Sequence, residues 1–350
     1  MYYLLLFVYP LKAKRLHNPQ AFLLNYKQDA GGSCIVDNDV LDTPKYDLMI
    51  VVPIYNVQKF LVECMDSILN QETQFSFYVV AVNDGSTDGS CDILNRYQSY
   101  DNVKIINQTN KGISGARNSA LHIIDAKYVM FVDSDDILAQ GAIEKLMSYS
   151  VQTDADIIQG AYDVFGDNGK NIRCVEKRGY CKAQCLNGFP WGKVYKAYLW
   201  KKISFPEEYD FEDTLNRLIT FNIAKSAYIC EDIVYHYRFN ESGVTRSMVG
   251  NYKLIDTVWV TLSLHKDASR LNLDSSEEYS EALINQLMFN MVRVASLKNH
   301  TINQAIFDLY RESVDYSKLE RPISKLVCQA LGYLKNNNFN KFYLSSILLK

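Results

Sequence analysis

Three carboxylates crowd into four positions, Asp133, Asp135 and Asp136, directly after the apolar run YVMFV (128–132), with no basic residue adjoining them. Held that close, carboxylates repel unless they are protonated or neutralised. A hard divalent cation is one solution. Mg2+ or Mn2+ takes oxygen ligands, commonly one or two carboxylates completed by substrate phosphates. Asp133 and Asp135 therefore read as half of a cation site whose other half is a diphosphate. The competing reading is helix capping by Asp135 or Asp136 ahead of Ile137. Two further chemistries fit less well. NDGSTDGS (83–90) matches the first half of a calcium loop, but the twelfth position is Asn95 instead of a bidentate Glu, and a strand precedes the loop. An Asp-x-Asp phosphatase nucleophile would end a first strand and be followed by Thr or Val, where this chain has Asp136 and Ile137.

The elements that must position these groups alternate regularly. LMIVVPIYN (48–56), FYVVAVNDGS (77–86), VKIINQ (103–108) and KYVMFVDSDD (127–136) read as strands; the first is a continuous apolar run suited to a buried strand. Between and after them, VQKFLVECMDSILNQ (57–71), DGSCDILNRYQSY (88–100), ISGARNSALHIID (113–125) and GAIEKLMSYSVQ (141–152) read as helices. The βαβα order implies an α/β fold with a mostly parallel central sheet covered on both faces. Ligands bind such sheets at the carboxyl ends of the strands. Three strands end there in polar residues: Tyr55–Asn56, Asn83–Asp84 and Asp133–Asp135.

Boundaries follow from composition. Residues 1–45 have no clear period and form an extension of unassigned role; 46–247 form the main domain, split near 150 into two halves; 248–350 turn helical. In the last region Leu254, Ile255, Val258, Trp259 and Leu262 recur at helical spacing, and Ser275 with Glu278 matches a capping box. The run MYYLLLFVYP is too short to span a bilayer, and Lys12, Lys14 and Arg15 follow it instead of preceding it, so it is a poor secretory signal. It reads as a membrane-surface foot or a strand packed on the body. The net charge of −3 carries no basic excess and argues against nucleic acid as a partner. Eight Cys without a CxxC pair read as reduced thiols of a cytosolic protein.

Taken together, VVPIYN, VNDGSTDGS, NKGISGARN and FVDSDD resemble, in order and spacing, the nucleotide-sugar domain of family 2 inverting glycosyltransferases with a GT-A fold. WGKVYK, FPEEYDFEDTL and YHYRFNESGVTRS continue the resemblance to about residue 247. It implies transfer of a sugar from a UDP-sugar, or another nucleoside-diphosphate sugar, to a hydroxyl of a glycan or lipid-linked acceptor, with Mn2+ or Mg2+ as cofactor. Pro53 and Tyr55 would lie along the base, and Asp84 would accept a hydrogen bond from it. Arg117 would support the base or phosphate, unless it forms a helix-face salt bridge. Asp133 and Ser134 would bind the nucleotide-sugar; Asp135, with Asp133 and His236, would hold the metal, although His236 fits equally well as a packed residue. An inverting displacement needs a carboxylate base on the acceptor side; the resemblance implies Asp213, with Glu212 orienting the acceptor. Trp191, Lys193, Arg238, Ser242 and Arg246 would frame the acceptor or the diphosphate, core packing being the alternative for Trp191. The setting implied is cell-surface polysaccharide assembly, cytoplasmic or peripheral on the cytoplasmic membrane face. The helical tail would build acceptor contacts, a dimer interface or a membrane-facing surface. The class left open beside the enzyme is a catalytically inactive nucleotide-sugar-binding scaffold on the same fold.

Overall fold

The computed structural model describes residues 16–38, 40–166, 172–174, 178–239 and 248–348. The N-terminal apolar run and its basic residues lie outside them, as do Ser242 and Arg246. The described chain forms two units. The larger comprises residues 34–208 and 215–239. The other comprises 16–33, 209–214 and 248–348.

The larger unit is built on a ten-stranded sheet, counted among the described residues. The strands are β1 (Tyr46–Ile54), β2 (Phe77–Asp84), β3 (Val103–Gln108), β4 (Ala126–Phe131), β5 (Ile137–Leu138), β6 (Ile157–Gly166), β7 (Ile172–Cys174), β8 (Gly179–Cys181), β9 (Lys193–Lys196) and β10 (Ala227–Phe239). The order is β3-β2-β1-β4-β9-β6-β10-β5, with β7 paired to β6 and β8 to β10. β3, β2, β1 and β4 run parallel, as the alternation of elements implies. β9 then enters antiparallel to both β4 and β6, while β10 is parallel to β6. β1 and β2 are buried almost throughout, which is what continuous apolar runs require.

Pro53 is an unusual residue for a central strand, because it cannot donate to the ladder. The register explains its place. Pairing of β1 with β4 ends at Val51–Phe131, where Val51 O accepts from Val132 N. Two residues on, Pro53 turns its missing N–H to the side where β4 has already left the ladder.

The first three helices of this unit are shorter than the apolar patterns suggest. α1 (Pro19–Leu24) belongs to the other unit; here lie α2 (Leu61–Leu69), α3 (Ser90–Asn95), α4 (Gly112–Leu121) and α5 (Ala142–Thr153). α2 starts four residues after the expected Val57 because the backbone N–H groups of Asn56, Val57 and Gln58 donate to Ser86, Ser90 and Asp88 side chains instead. α4 packs on β1 and β2, and α5 on β6 and β10.

The second unit holds α6 (Asp256–Arg270), α7 (Glu277–Val294), α8 (His300–Ser313), α9 (Lys325–Lys335) and α10 (Phe339–Ile347). The N-cap of α7 is Ser276, one residue past the expected Ser275: its hydroxyl accepts from Tyr279 N at 3.0 Å, with Glu277 and Glu278 in the first turn. Thr257, Thr261, Gln286 and Asn290 form a buried hydrogen-bonded seam between α6 and α7. No helix among the described residues is long and apolar enough to cross a membrane.

Candidate active site

The carboxylate turn sits just past β4. That strand ends at Phe131, and Asp136 N folds back onto Asp133 O at 3.1 Å. The chain then enters β5, which pairs antiparallel with β10, so no helix starts at Ile137 and the capping reading falls away. What holds the turn comes from far along the chain. Asp133 N donates to the Tyr235 hydroxyl (3.0 Å), and that hydroxyl donates to Asp136 Oδ2 (2.8 Å). Asp136 Oδ1 accepts from Arg238 N (2.7 Å), and Asp135 O accepts from Arg238 Nε (2.7 Å). Buried Tyr235 and Asp136 thus form a post inside the turn, directing Asp136 inward while Asp133 and Asp135 remain at the strand tip.

The electrostatics follow. Burial, reinforced by the charge of Asp133, raises the Asp135 carboxyl to about 6. Burial, with Asp133 and Asp135 adding to it, raises Asp136 to about 8. Asp133 Oδ1 accepts from the buried Arg117 guanidinium at 2.8 Å, and Arg117 stacks against the Phe205 ring at 5.0 Å. Arg117 thus forms the salt bridge expected as its alternative role, with the first Asp of the turn as partner and not a residue of its own helix face. Its neighbour Asn118 ties α4 to the following segment, donating to Phe205 O and Glu207 Oε1 and accepting from Phe205 N.

At the neighbouring strand ends, Tyr55 is 47% exposed beyond β1, an aromatic face available for stacking. Asn56 is left-handed (φ 52) and accepts from Thr87 N, so the 83–90 loop is stitched to the end of β1. Asp84, 2% exposed, accepts at Oδ1 from Gln108 Nε2 and Lys111 N. The turn after it needs Gly85: φ is +73, and a Cβ there would meet Asn110 N at 2.9 Å. Ser134 is buried in the carboxylate turn.

His236 faces away from Tyr235 on β10, and its Nδ1 lies 2.6 Å from Asp163 Oδ1. A carboxylate on one ring nitrogen fixes the tautomer and leaves the other nitrogen as the ligating one. Among the described residues no three His, Cys, Asp or Glu side chains gather into a ready-made cation cage. Asp133 and Asp135 still suit a hard cation whose remaining ligands come from a diphosphate and water, and their crowded, buried charge is what such a cation relieves.

The remaining expected residues divide. Arg238 borders the turn, but its guanidinium is engaged with Asp135 O and Glu63 and lies over Phe60 and Phe165. Trp191 is 4% exposed and stacked on Tyr235 (4.5 Å), Phe189 (4.6 Å) and Tyr237 (5.4 Å). Lys193 is fully buried, its ammonium donating to Asn187 Oδ1 and Phe189 O, which holds the 187–191 loop from inside. Glu212 and Asp213, both half-buried, lie on the 209–214 segment that groups with the helices. Sequence reasoning missed Tyr235, Asp163 and Gln108 as parts of this constellation, and it named Asp136 in the cluster without its buried supporting role. The one available signal was the YHY run opposite the DSDD run, and it names no partner.

Comparison with known proteins fits this geometry. A sequence model described as Glycosyl transferase family 2 matches residues 49–234. Poly(ribitol-phosphate) beta-glucosyltransferase of Bacillus spizizenii is 34% identical over 209 residues, 56% of this chain and 33% of that protein. Glycosyltransferase GlyA of Streptococcus pneumoniae is 32% identical over 222 residues, 57% of this chain and 31% of that one. The chain thus spans about a third of the length of these two relatives. The crystal structure of S. aureus TarS 1-349 with UDP-GlcNAc superposes with a TM-score of 0.65 at 22% identity, over 86% of this chain and 90% of that one, which shows the shared α/β fold. With the family model covering the parallel strands, the carboxylate turn and most of β10, the chain belongs to glycosyl transferase family 2.

Proposed function

We propose that this chain is a glycosyltransferase that takes a UDP-sugar and transfers the sugar, with inversion, to a hydroxyl of a glycan or lipid-linked polymer. The observation that carries the reading is the carboxylate turn: Asp133 and Asp135 stand together at the tip of a parallel strand, where burial and then the charge of Asp133 raise Asp135 to about 6. A cation bridging to a diphosphate is the natural occupant of such a pair.

In this reading Tyr55 stacks on the base and Asp84, oriented by Gln108, receives its N–H. Pro53, at the end of β1, lies along the base with Tyr55. Arg117 holds Asp133 in place, and Ser134 lies with it at the ribose. Asp133 and Asp135 would hold Mn2+ or Mg2+, with His236 as a third donor through the nitrogen opposite Asp163. When bound, that cation supplies charge neutralisation for the departing diphosphate. Asp213 takes the proton from the acceptor hydroxyl as its oxygen forms the new bond to the anomeric carbon, while the bond from that carbon to the UDP oxygen breaks. Glu212 orients the acceptor. Arg238 serves by pinning Asp135, and Trp191 with Lys193 by fixing the 187–191 loop. Ser242 and Arg246, outside the described residues, are assigned to the diphosphate by family resemblance alone.

UDP as the nucleotude carrier draws support from the TarS complex with UDP-GlcNAc, and a polyol-phosphate or related cell-surface polymer as acceptor from the glucosyltransferase relative. Such an acceptor implies work on the cytoplasmic membrane face. The test is UDP release from UDP-glucose and UDP-GlcNAc with Mn2+, with and without ribitol-phosphate polymer, for wild type and Asp213→Asn. Loss of general-base catalysis is expected to lower turnover about a hundredfold or more with UDP affinity unchanged. Turnover by the variant equal to wild type would remove Asp213 from the mechanism.

A further inference from the structure

The segment Tyr209-Asp210-Phe211 precedes Glu212 and Asp213 and is anchored at three successive residues within the helical unit. The Tyr209 hydroxyl donates to Asp29 Oδ1 at 2.5 Å. Asp210 N donates to Asp256 Oδ2 at 3.0 Å, and Asp256, 1% exposed at the start of α6, also pairs with Lys27 at 3.1 Å. The Phe211 ring lies 4.2 Å from the Arg293 guanidinium, which also lies 4.5 Å from the Phe289 ring. Arg293 Nη1 donates to Thr257 Oγ1 at 3.0 Å, and Thr257 Oγ1 donates to buried Asn290. The guanidinium is therefore fixed in its position beside the two rings by the seam that joins α6 to α7.

Phe211 itself has φ +68, a left-handed conformation that a bulky side chain rarely adopts. Such a conformation persists only where the surroundings over-determine it, and it concentrates at functional segments. Here the surroundings are named: a hydrogen bond on the preceding residue and a cation–π contact on the ring. Thr214 N then closes a turn onto Phe211 O at 3.1 Å, with Glu212 and Asp213 as its two inner residues. Their direction is set by the backbone of Phe211.

We infer that Arg293 is a positioning residue for the acceptor-side carboxylates: by clamping Phe211 in its left-handed conformation against α7, it fixes the turn that presents Glu212 and Asp213. Arg293 thereby takes part in the reaction without touching the reacting atoms. This deepens the proposed function and rests on its assignment of Asp213, so the test separates the two.

Amide hydrogen exchange is followed on peptides covering 209–214 in wild type, Arg293→Ala, Arg293→Lys and Phe211→Gly. UDP release from UDP-GlcNAc and UDP-glucose is measured alongside, with Asp213→Asn as reference. Arg293→Ala is expected to speed exchange in 209–214 about tenfold or more while β1–β4 stay protected. Arg293→Lys, which keeps a cation beside the rings, is expected to lie closer to wild type than Ala does. Phe211→Gly adopts the left-handed φ without strain, so its loosening isolates the ring contact from general unfolding. Turnover in the Ala and Gly variants should fall about tenfold or more, with donor KM within about twofold, since a misplacement of about 1 Å suffices for that. Exchange within about twofold of wild type in both Arg293→Ala and Phe211→Gly, or loss of protection throughout the helical unit in both, overturns the inference. Undiminished turnover in Asp213→Asn refutes the base assignment alone and leaves the clamp standing.

Discussion

Without a bound cation, the DSDD turn should make the protein less stable as pH rises. In the unfolded chain both Asp135 and Asp136 titrate near 3.8; in the fold they are raised to about 6 and about 8, chiefly by burial and then by neighbouring carboxylates. Between the unfolded and folded values the folded state holds protons that the unfolded state has released. Stability is therefore fullest below about pH 4 for these two groups and is lost as pH climbs through the folded values, the reverse of a salt-bridged carboxylate. One extra bound proton is worth about 1.4 kcal/mol per pH unit. From pH 5 to pH 8, Asp136 acts over the whole interval and Asp135 over its first third. The sum is at most about 5 kcal/mol, and on the order of 3 once solvent access to the turn is allowed for. Asp136→Asn removes the larger share. The assay is guanidinium unfolding at several pH values between 5 and 8 in EDTA, with fluorescence reporting the α/β unit. Wild type should lose stability with pH, Asp136→Asn should lose less than half as much, and Mn2+ with UDP should flatten the wild-type slope. Parallel slopes for wild type and Asp136→Asn would refute the reasoning.

Three shorter expectations follow from the same contacts. Arg117→Ala deletes a buried cation that faces Asp133 and packs on Phe205, so it should cost about 3 kcal/mol in denaturant unfolding and weaken UDP binding. Tyr235→Phe removes the hydroxyl linking Asp133 N to Asp136 and should cost about 1–3 kcal/mol, with UDP affinity lowered although no donor contact is deleted; calorimetry checks both. Gly160→Ala would place a Cβ 2.4 Å from Val234 Cγ2 where β6 meets β10; overpacking of about 1–3 kcal/mol should appear as a lower thermal midpoint.

The parallel strands β1, β2 and β4 were legible because each is a near-continuous apolar run, and the shorter VKIINQ of β3 by its place in the alternation of elements. β9 was not legible as the strand that reverses the sheet: KVYK carries no mark of direction, and its place beside β4 is a tertiary choice. The carboxylates were legible by type, whereas their support was not. Tyr235 reaches Asp136 across 99 residues of sequence and His236 reaches Asp163 across 73, so no spacing rule could join them. Lys193 illustrates the opposite case. Its charge suggests a ligand contact, but burial commits it to Asn187 and two carbonyl oxygens. Phe211 is legible only from its backbone, because a bulky residue at φ +68 contradicts its own preference and needs Arg293 and Asp256 to hold it.

The central claim is that the Asp133–Asp135 turn binds a cation and a nucleoside diphosphate together. The most direct measurement is calorimetric titration of UDP into wild type and Asp135→Ala, with and without Mn2+. Micromolar binding that requires both the metal and Asp135 is expected. Equal UDP binding with the metal or the carboxylate removed, or no UDP binding under any condition, would contradict it.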